Sequence, residues 1–188
     1  MDGWTLGTAS GLSVPIPKSD ILYFDNSVNA ENDTVVLYPG DKAFVISGQS
    51  PIGVSFRVNK CSGYLAQFKN FNPYLSNNCP LARDENLSSI PRRVENDACF
   101  DMLSNYPICH AQVDSLPLGF SYECTKFITE KLNYNSCIDT HKNDKDFYQK
   151  EWRIYLKRNT ELWTNSRYEV VTLYDNQGKI VDTYKVSY

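Results

Sequence analysis

Six cysteines, Cys61, Cys79, Cys99, Cys109, Cys124 and Cys137, all fall within one stretch of the chain, and neither flank has any. An even count grouped in this way reads as a disulfide framework, the usual staple for a segment with a weak core. Metal binding is the competing reading. Structural zinc sites present cysteines separated by roughly two to four residues, whereas the closest two here are Cys99 and Cys109, and the only histidines are His110 and His141. Buried free thiols are the third reading. The spacing favours disulfides. Because small loops close most easily, the expected pairing is local: Cys61 with Cys79, Cys99 with Cys109, and Cys124 with Cys137. Such a framework implies an oxidising compartment.

The remainder of the composition bounds the partners. A chain of 188 residues, 41% of them hydrophobic, can bury a real core, so disorder is not expected. It suits one domain with a large insertion. The net charge is −3 and no Lys/Arg run exceeds a pair such as Arg92-Arg93, so nucleic acid is not an expected partner. No apolar run approaches the roughly 18 residues of a membrane span. Met1 is followed by Asp2-Gly3-Trp4 rather than by a basic and then apolar segment. Any signal or anchor is therefore expected outside these residues.

Both flanks read as β. In the first, Gly3-Trp4-Thr5-Leu6, Ile21-Leu22-Tyr23-Phe24, Thr34-Val35-Val36-Leu37 and Lys42 to Ser47 carry strand formers, and Val54 to Val58 alternates apolar with polar. Tyr38-Pro39-Gly40-Asp41 has the chemistry of a turn. In the second, Arg153 to Lys157 is strand-like. Glu169 to Tyr174 and Lys179 to Tyr184 form a hairpin around Asp175-Asn176-Gln177-Gly178. The middle, about 59–150, differs. Phe120 to Leu132 has helical spacing with Ser121 as its N-cap, and Ala98 to Leu103 and Asp144 to Trp152 read as short helices. The fold expected is mainly β: a β-sandwich interrupted by an inserted α-helical, disulfide-stapled segment. Its late hairpin would close the first sheet, because two or three strands alone make a poor sandwich.

The flanks resemble a known family. The carrying residues are Asp2-Gly3-Trp4-Thr5-Leu6, then Thr34 to Ile46 with its Leu37-Tyr38-Pro39-Gly40 turn. Glu161-Leu162-Trp163-Thr164-Asn165 follows, and Val171 to Asp182 closes the match with Leu173-Tyr174-Asp175 and Gly178-Lys179-Ile180-Val181-Asp182. Their order resembles the lamin tail domain in its bacterial secreted or surface form. The resemblance spans about 2–48 and 160–184, and it implies an immunoglobulin-like β-sandwich for the flanks only. That family joins the two parts by a short segment, and its Asn-x-Gly-Asp is replaced here by Asn165-Ser166-Arg167-Tyr168-Glu169. It brings no catalytic residues. Its members serve as attachment or interaction modules, often beside catalytic domains. Trp4 and Trp163, large hydrophobes beside turns, are expected in the core.

Chemistry is sparse. His110 follows Cys109, but a bridged cysteine offers no thiolate. Asp139 to Asp146 superficially resembles a calcium loop, yet the positions that need Gly and Glu hold Asp144 and Lys150. A solvated loop or a helix start is the better account. Asp84, Glu85, Glu95, Asp97 and Asp101 are candidate carboxylates for glycoside hydrolysis only in the sense that sequence cannot measure their separation. Gly-rich phosphate loops, G-x-S-x-G and H-E-x-x-H are absent. No catalytic residue, metal or cofactor is therefore expected. Asn32-Asp33-Thr34 and Asn86-Leu87-Ser88 fit the N-glycosylation pattern.

One stretch suggests recognition. Tyr64, Phe68, Phe71 and Tyr74 lie between Cys61 and Cys79 amid Asn and Ser. A stapled loop presenting rigid aromatics gives contact area at low entropy cost. The competing account is that the same rings pack the insertion's own small core, which has few aliphatics. The functional expectation is a non-catalytic extracellular or cell-surface binding module whose partner is a protein, glycan or envelope component. A purely structural spacer and a hydrolase with its site in the insertion are the rivals.

Overall fold

A computed structural model describes residues 1–20, 33–163 and 169–185. The expected strand Ile21-Leu22-Tyr23-Phe24, the Asn32 sequon position and Thr164-Asn165 lie outside the described residues. The chain divides into two compact units: Met1–Val58 with Lys150–Tyr188, and Asn59–Gln149. Strands and helices are both well represented, so the molecule is a mixed α/β protein with two sheets, one of four strands and one of three.

The first unit is built on strands β1 (Thr5–Gly7), β2 (Ser13–Pro15), β3 (Lys42–Ile46) and β4 (Phe56–Asn59), then β5 (Tyr148–Tyr155), β6 (Val170–Tyr174) and β7 (Ile180–Lys185). One sheet runs β2-β1-β6-β7, antiparallel throughout. Leu6 therefore sits opposite both Val14 and Leu173. The late hairpin turns as its residues dictate. Gly178 takes a φ of 77° and Asp175 accepts from the Gln177 and Lys179 amides. The other sheet runs β3-β5-β4, with β3 and β5 parallel and Val45 opposite Ile154.

Two expectations are corrected here. Thr34 to Leu37 is not a strand; it leads into the Tyr38–Asp41 turn, where the Asp41 amide donates to the Tyr38 carbonyl at 2.9 Å. Asp144 to Trp152 is not a helix: from Tyr148 onward it is β5. This strand is central, with neighbours on both edges, and Trp152, Arg153, Ile154 and Tyr155 are all buried. Its last residues, Arg153 to Tyr155, are the strand expected there; the strand begins five residues earlier, at Tyr148.

One hydrophobic cluster draws on both sheets: Leu6, Ile16, Val35, Trp152, Ile154, Leu156 and Leu162. Trp4 and Trp163 pack against this cluster from its partly buried margin, while Trp152, at 1% exposure, occupies the middle. Arg153 is just as deep. Its guanidinium donates to Glu151 at 2.7 Å and stacks over the Phe44 ring, so the buried charge is paired.

The second unit contains three helices, α1 (Asp97–Ser104), α2 (Tyr122–Lys131) and α3 (Tyr134–His141), joined by loops and short 3₁₀ turns. Ser121 caps α2 by accepting from the Cys124 amide, as the sequence predicts. Asn133 caps α3 in the same way through Ser136. All six cysteines are paired, but not locally. The bridges are Cys61–Cys137, Cys79–Cys109 and Cys99–Cys124. Packing decides this. Cys99 lies on the buried side of α1 and Cys124 on that of α2, in one cluster with Leu103, Phe127, Ile128 and Leu132. Formed disulfides of this number belong to an oxidising environment, and no helix among the described residues is long and apolar enough to cross a membrane.

Gly63 shows how tightly the bridges are packed. A Cβ built on it would overlap Cys109 Sγ and lie 3.1 Å from Cys79 Sγ, whereas nothing lies within 4 Å of one built on Gly48. Gly63→Ala should therefore destabilise the protein by about 1–3 kcal/mol, seen as a lower midpoint in thermal or denaturant unfolding. Gly48→Ala should be near neutral; equal behaviour of the two would contradict the packing.

Candidate functional site

The loop between Cys61 and Cys79 is anchored at both ends, since each cysteine bridges to a different partner. A 3₁₀ turn over Ser62–Gln67 buries Tyr64 and Leu65. Further on, Phe71 and Leu75 point inward at 6% and 0% exposure. Gln67 adds a two-point clasp: its side chain accepts from the Ala111 amide at 2.7 Å and donates to the Ala111 carbonyl at 2.9 Å. These anchors leave the residues between them turned to solvent. Phe68 is 56% exposed and Tyr74 64% exposed. Around them lie Lys69, Asn70, Asn72, Ser76, Asn77 and Asn78, all exposed.

The four aromatics expected to act together are thus divided. Tyr64 and Phe71 serve the interior, and burial pushes the Tyr64 hydroxyl up to about 12, so it stays neutral. Phe68 and Tyr74 are presented. The loop holds itself by its buried rings and shows the other two.

A charged cluster forms the second feature. Sequence reading takes Asp139 to Asp146 as a solvated loop or helix start; the structure makes it the C-terminal end of α3 and the turn after it. His141 Nδ1 lies 2.8 Å from Asp144 Oδ2, and its Nε2 lies 2.9 Å from Glu85 Oε1. Lys60 Nζ reaches Asp144 at 2.9 Å and Asp146 at 2.7 Å. The chain thereby ties three sequence-distant segments. An ionised carboxylate only accepts. Carboxylates on both ring nitrogens therefore call for the imidazolium, with a proton on each. Partial burial alone lowers the His141 pKa, but the hydrogen bonds and charges of Glu85 and Asp144 outweigh it, and the net shift is upward. Both nitrogens are occupied, so this ring is a structural cation rather than a base open to a substrate.

A signal for the cluster was available. Asn133, then Tyr134, Cys137 and Ile138 at helical spacing, announces α3 and places His141 at its end, where a cation is favoured.

The remaining expected positions are scattered. Cys109 is bridged and has no thiolate; His110 is half-buried and its ring tilts against Tyr106 at 5.8 Å. Asp84, Glu95, Asp97 and Asp101 are exposed, and Glu95 pairs with Arg93. Asn86 of the sequon is exposed and its side chain accepts from the Ser88 amide. Among the described residues no group of three or more His, Cys, Asp or Glu is placed to hold a metal ion. No family model, curated protein or solved structure matches this chain.

The cluster makes stability depend on pH in two directions. Unfolded, His141 titrates near 6.5; since its folded value is higher, its contribution is complete below that pH and fades as the pH rises through the folded value. Asp144 and Asp146 are held below their ordinary 3.8, largely by hydrogen bonds from Lys60. Their contribution is present above that pH and is lost on further acidification. Unfolding midpoints should therefore be highest between these limits. By NMR titration, Glu85→Gln should lower the His141 midpoint; an unchanged midpoint would contradict the ion pair.

Proposed function

We propose that this chain is a non-catalytic binding or attachment module that works outside the cytoplasm, at a cell surface or in a secreted protein. In this reading an immunoglobulin-like β-sandwich of the lamin-tail kind is the scaffold and the cysteine-rich unit carries recognition. The sandwich is supported by a single cluster that takes Leu6, Val14, Val171 and Leu173 from one sheet and Ala43, Val45, Trp152 and Ile154 from the other. Three disulfides support the compartment. A role without catalysis is supported by the engagement of both His141 nitrogens and the bridging of Cys109.

One observation carries the recognition role: Phe68 and Tyr74 are held outward on a loop fixed by two disulfides and by buried Phe71 and Leu75. Exposed aromatics on a pre-ordered loop lose little entropy on binding and supply most of the contact energy at such surfaces. Asn and Ser around them suit hydrogen bonding to a glycan or a polar protein surface. The partner is a protein, glycan or other envelope component.

Co-sedimentation of the purified protein with cell-wall polysaccharide, peptidoglycan and membrane-protein fractions tests the reading. The wild-type chain should be retained by at least one of them. Phe68→Ser and Tyr74→Ser should each weaken retention by about tenfold, the cost of removing a central aromatic anchor, without changing the unfolding midpoint. Retention that is unaffected by both substitutions would refute the role of the loop.

A further inference from the structure

We propose that Asn86 is a modification site that carries an N-linked glycan, added in the compartment where the disulfides form. The inference rests on the extracytoplasmic reading above. Asn86-Leu87-Ser88 has the acceptor pattern, a carboxamide followed two residues on by a hydroxyl. Pattern alone selects two positions, Asn32 and Asn86, and Asn32 lies outside the described residues.

An acceptor asparagine has to be reachable, and its glycan has to leave the core intact. The fold meets both conditions at Asn86. Buried Ala82 and Ile90 pin the segment to the apolar cluster formed by α1 and α2, and Leu87 packs against the same cluster. Asn86 and Ser88, on either side of Leu87, are exposed. Asn86 has an extended backbone, with φ −70° and ψ 96°, and opens a 3₁₀ turn over Leu87–Ser89. Its Oδ1 accepts from the Ser88 amide at 3.1 Å. This bond steadies the carboxamide through its oxygen. The Nδ2 donor at the other end has no protein partner among the described residues, and neither has the Ser88 hydroxyl. An open cleft of about 450 Å³ borders Asn86, so the first sugar has room beside the chain.

The transfer is a substitution at carbon. Nδ2 bonds to the anomeric carbon of a sugar that a host transferase delivers as a glycosyl diphosphate. The C–O bond to the diphosphate breaks, the diphosphate leaves with that electron pair, and one Nδ2 proton passes to a base of the transferase. Nothing is oxidised or reduced.

Mass spectrometry of peptides from protein purified from its own host, with free thiols alkylated first, tests the site. The peptide holding Asn86 should carry a mass increment made of sugar residues, localised to Asn86 by electron-transfer fragmentation. Asn86→Gln and Ser88→Ala, made in the same host, should each abolish it, and Ser88→Thr should retain it. Ser88→Ala keeps both the carboxamide and its hydrogen bond, which uses only the Ser88 backbone amide. A loss there therefore reads the acceptor pattern rather than a damaged fold. An unmodified Asn86 overturns the site: bridged cysteines in the same sample would then spare the extracytoplasmic reading, whereas alkylated cysteines would sink both. A glycan that persists in Ser88→Ala also overturns it, since its attachment would not depend on the pattern.

Discussion

Covalent closure by three disulfides is the constraint on which the second unit depends. Its helices have eight, ten and eight residues, lengths at which an isolated helix is marginal in water. Its apolar cluster has eight buried members, two of which, Cys99 and Cys124, are themselves bridged to each other. Burial alone does not explain the order of such a unit; the cross-links remove freedom from its unfolded chain. Cys61–Cys137 spans 76 residues, and closing a loop of that size is worth about 4.5 kcal/mol in the chain-entropy model. The Cys79–Cys109 bridge then fixes the far end of the loop that presents Phe68 and Tyr74. Gly63 follows from the same constraint, since the space a side chain would need is filled by sulfur.

The first unit solves its problem differently. It has no cysteine and relies on β5, a strand hydrogen-bonded on both edges and buried over Trp152 to Tyr155. Placing a charge there is tolerated only because Arg153 has Glu151 and the Phe44 face. A core-dominated framework and a staple-dominated unit thus occur in one chain.

The features legible in the sequence are those set by local chemistry. The hairpin around Asp175 to Gly178, the Tyr38–Asp41 turn and the Ser121-capped helix α2 were readable because a few adjacent residues determine each. What escaped depends on distant partners. The first part of β5, Tyr148 to Trp152, escaped because its strand state rests on pairing with distant strands, whereas Arg153 to Tyr155 read as strand. Disulfide pairing escaped because loop length says nothing about which helix faces meet. Tyr64 and Phe71 could not be told from Phe68 and Tyr74, since all four share one composition and only the packing assigns them to inside or outside. The Glu85–His141–Asp144 chain joins residues 56 positions apart, although α3 itself carried a readable cap and apolar spacing.

Non-reducing peptide mapping by mass spectrometry, on protein isolated from its own host with free thiols alkylated first, reads the covalent framework itself. It should yield no alkylated cysteine and three cross-linked species, joining Cys61 to Cys137, Cys79 to Cys109 and Cys99 to Cys124. Recovery of the local pairs Cys61–Cys79, Cys99–Cys109 and Cys124–Cys137, or of alkylated thiols, would contradict it.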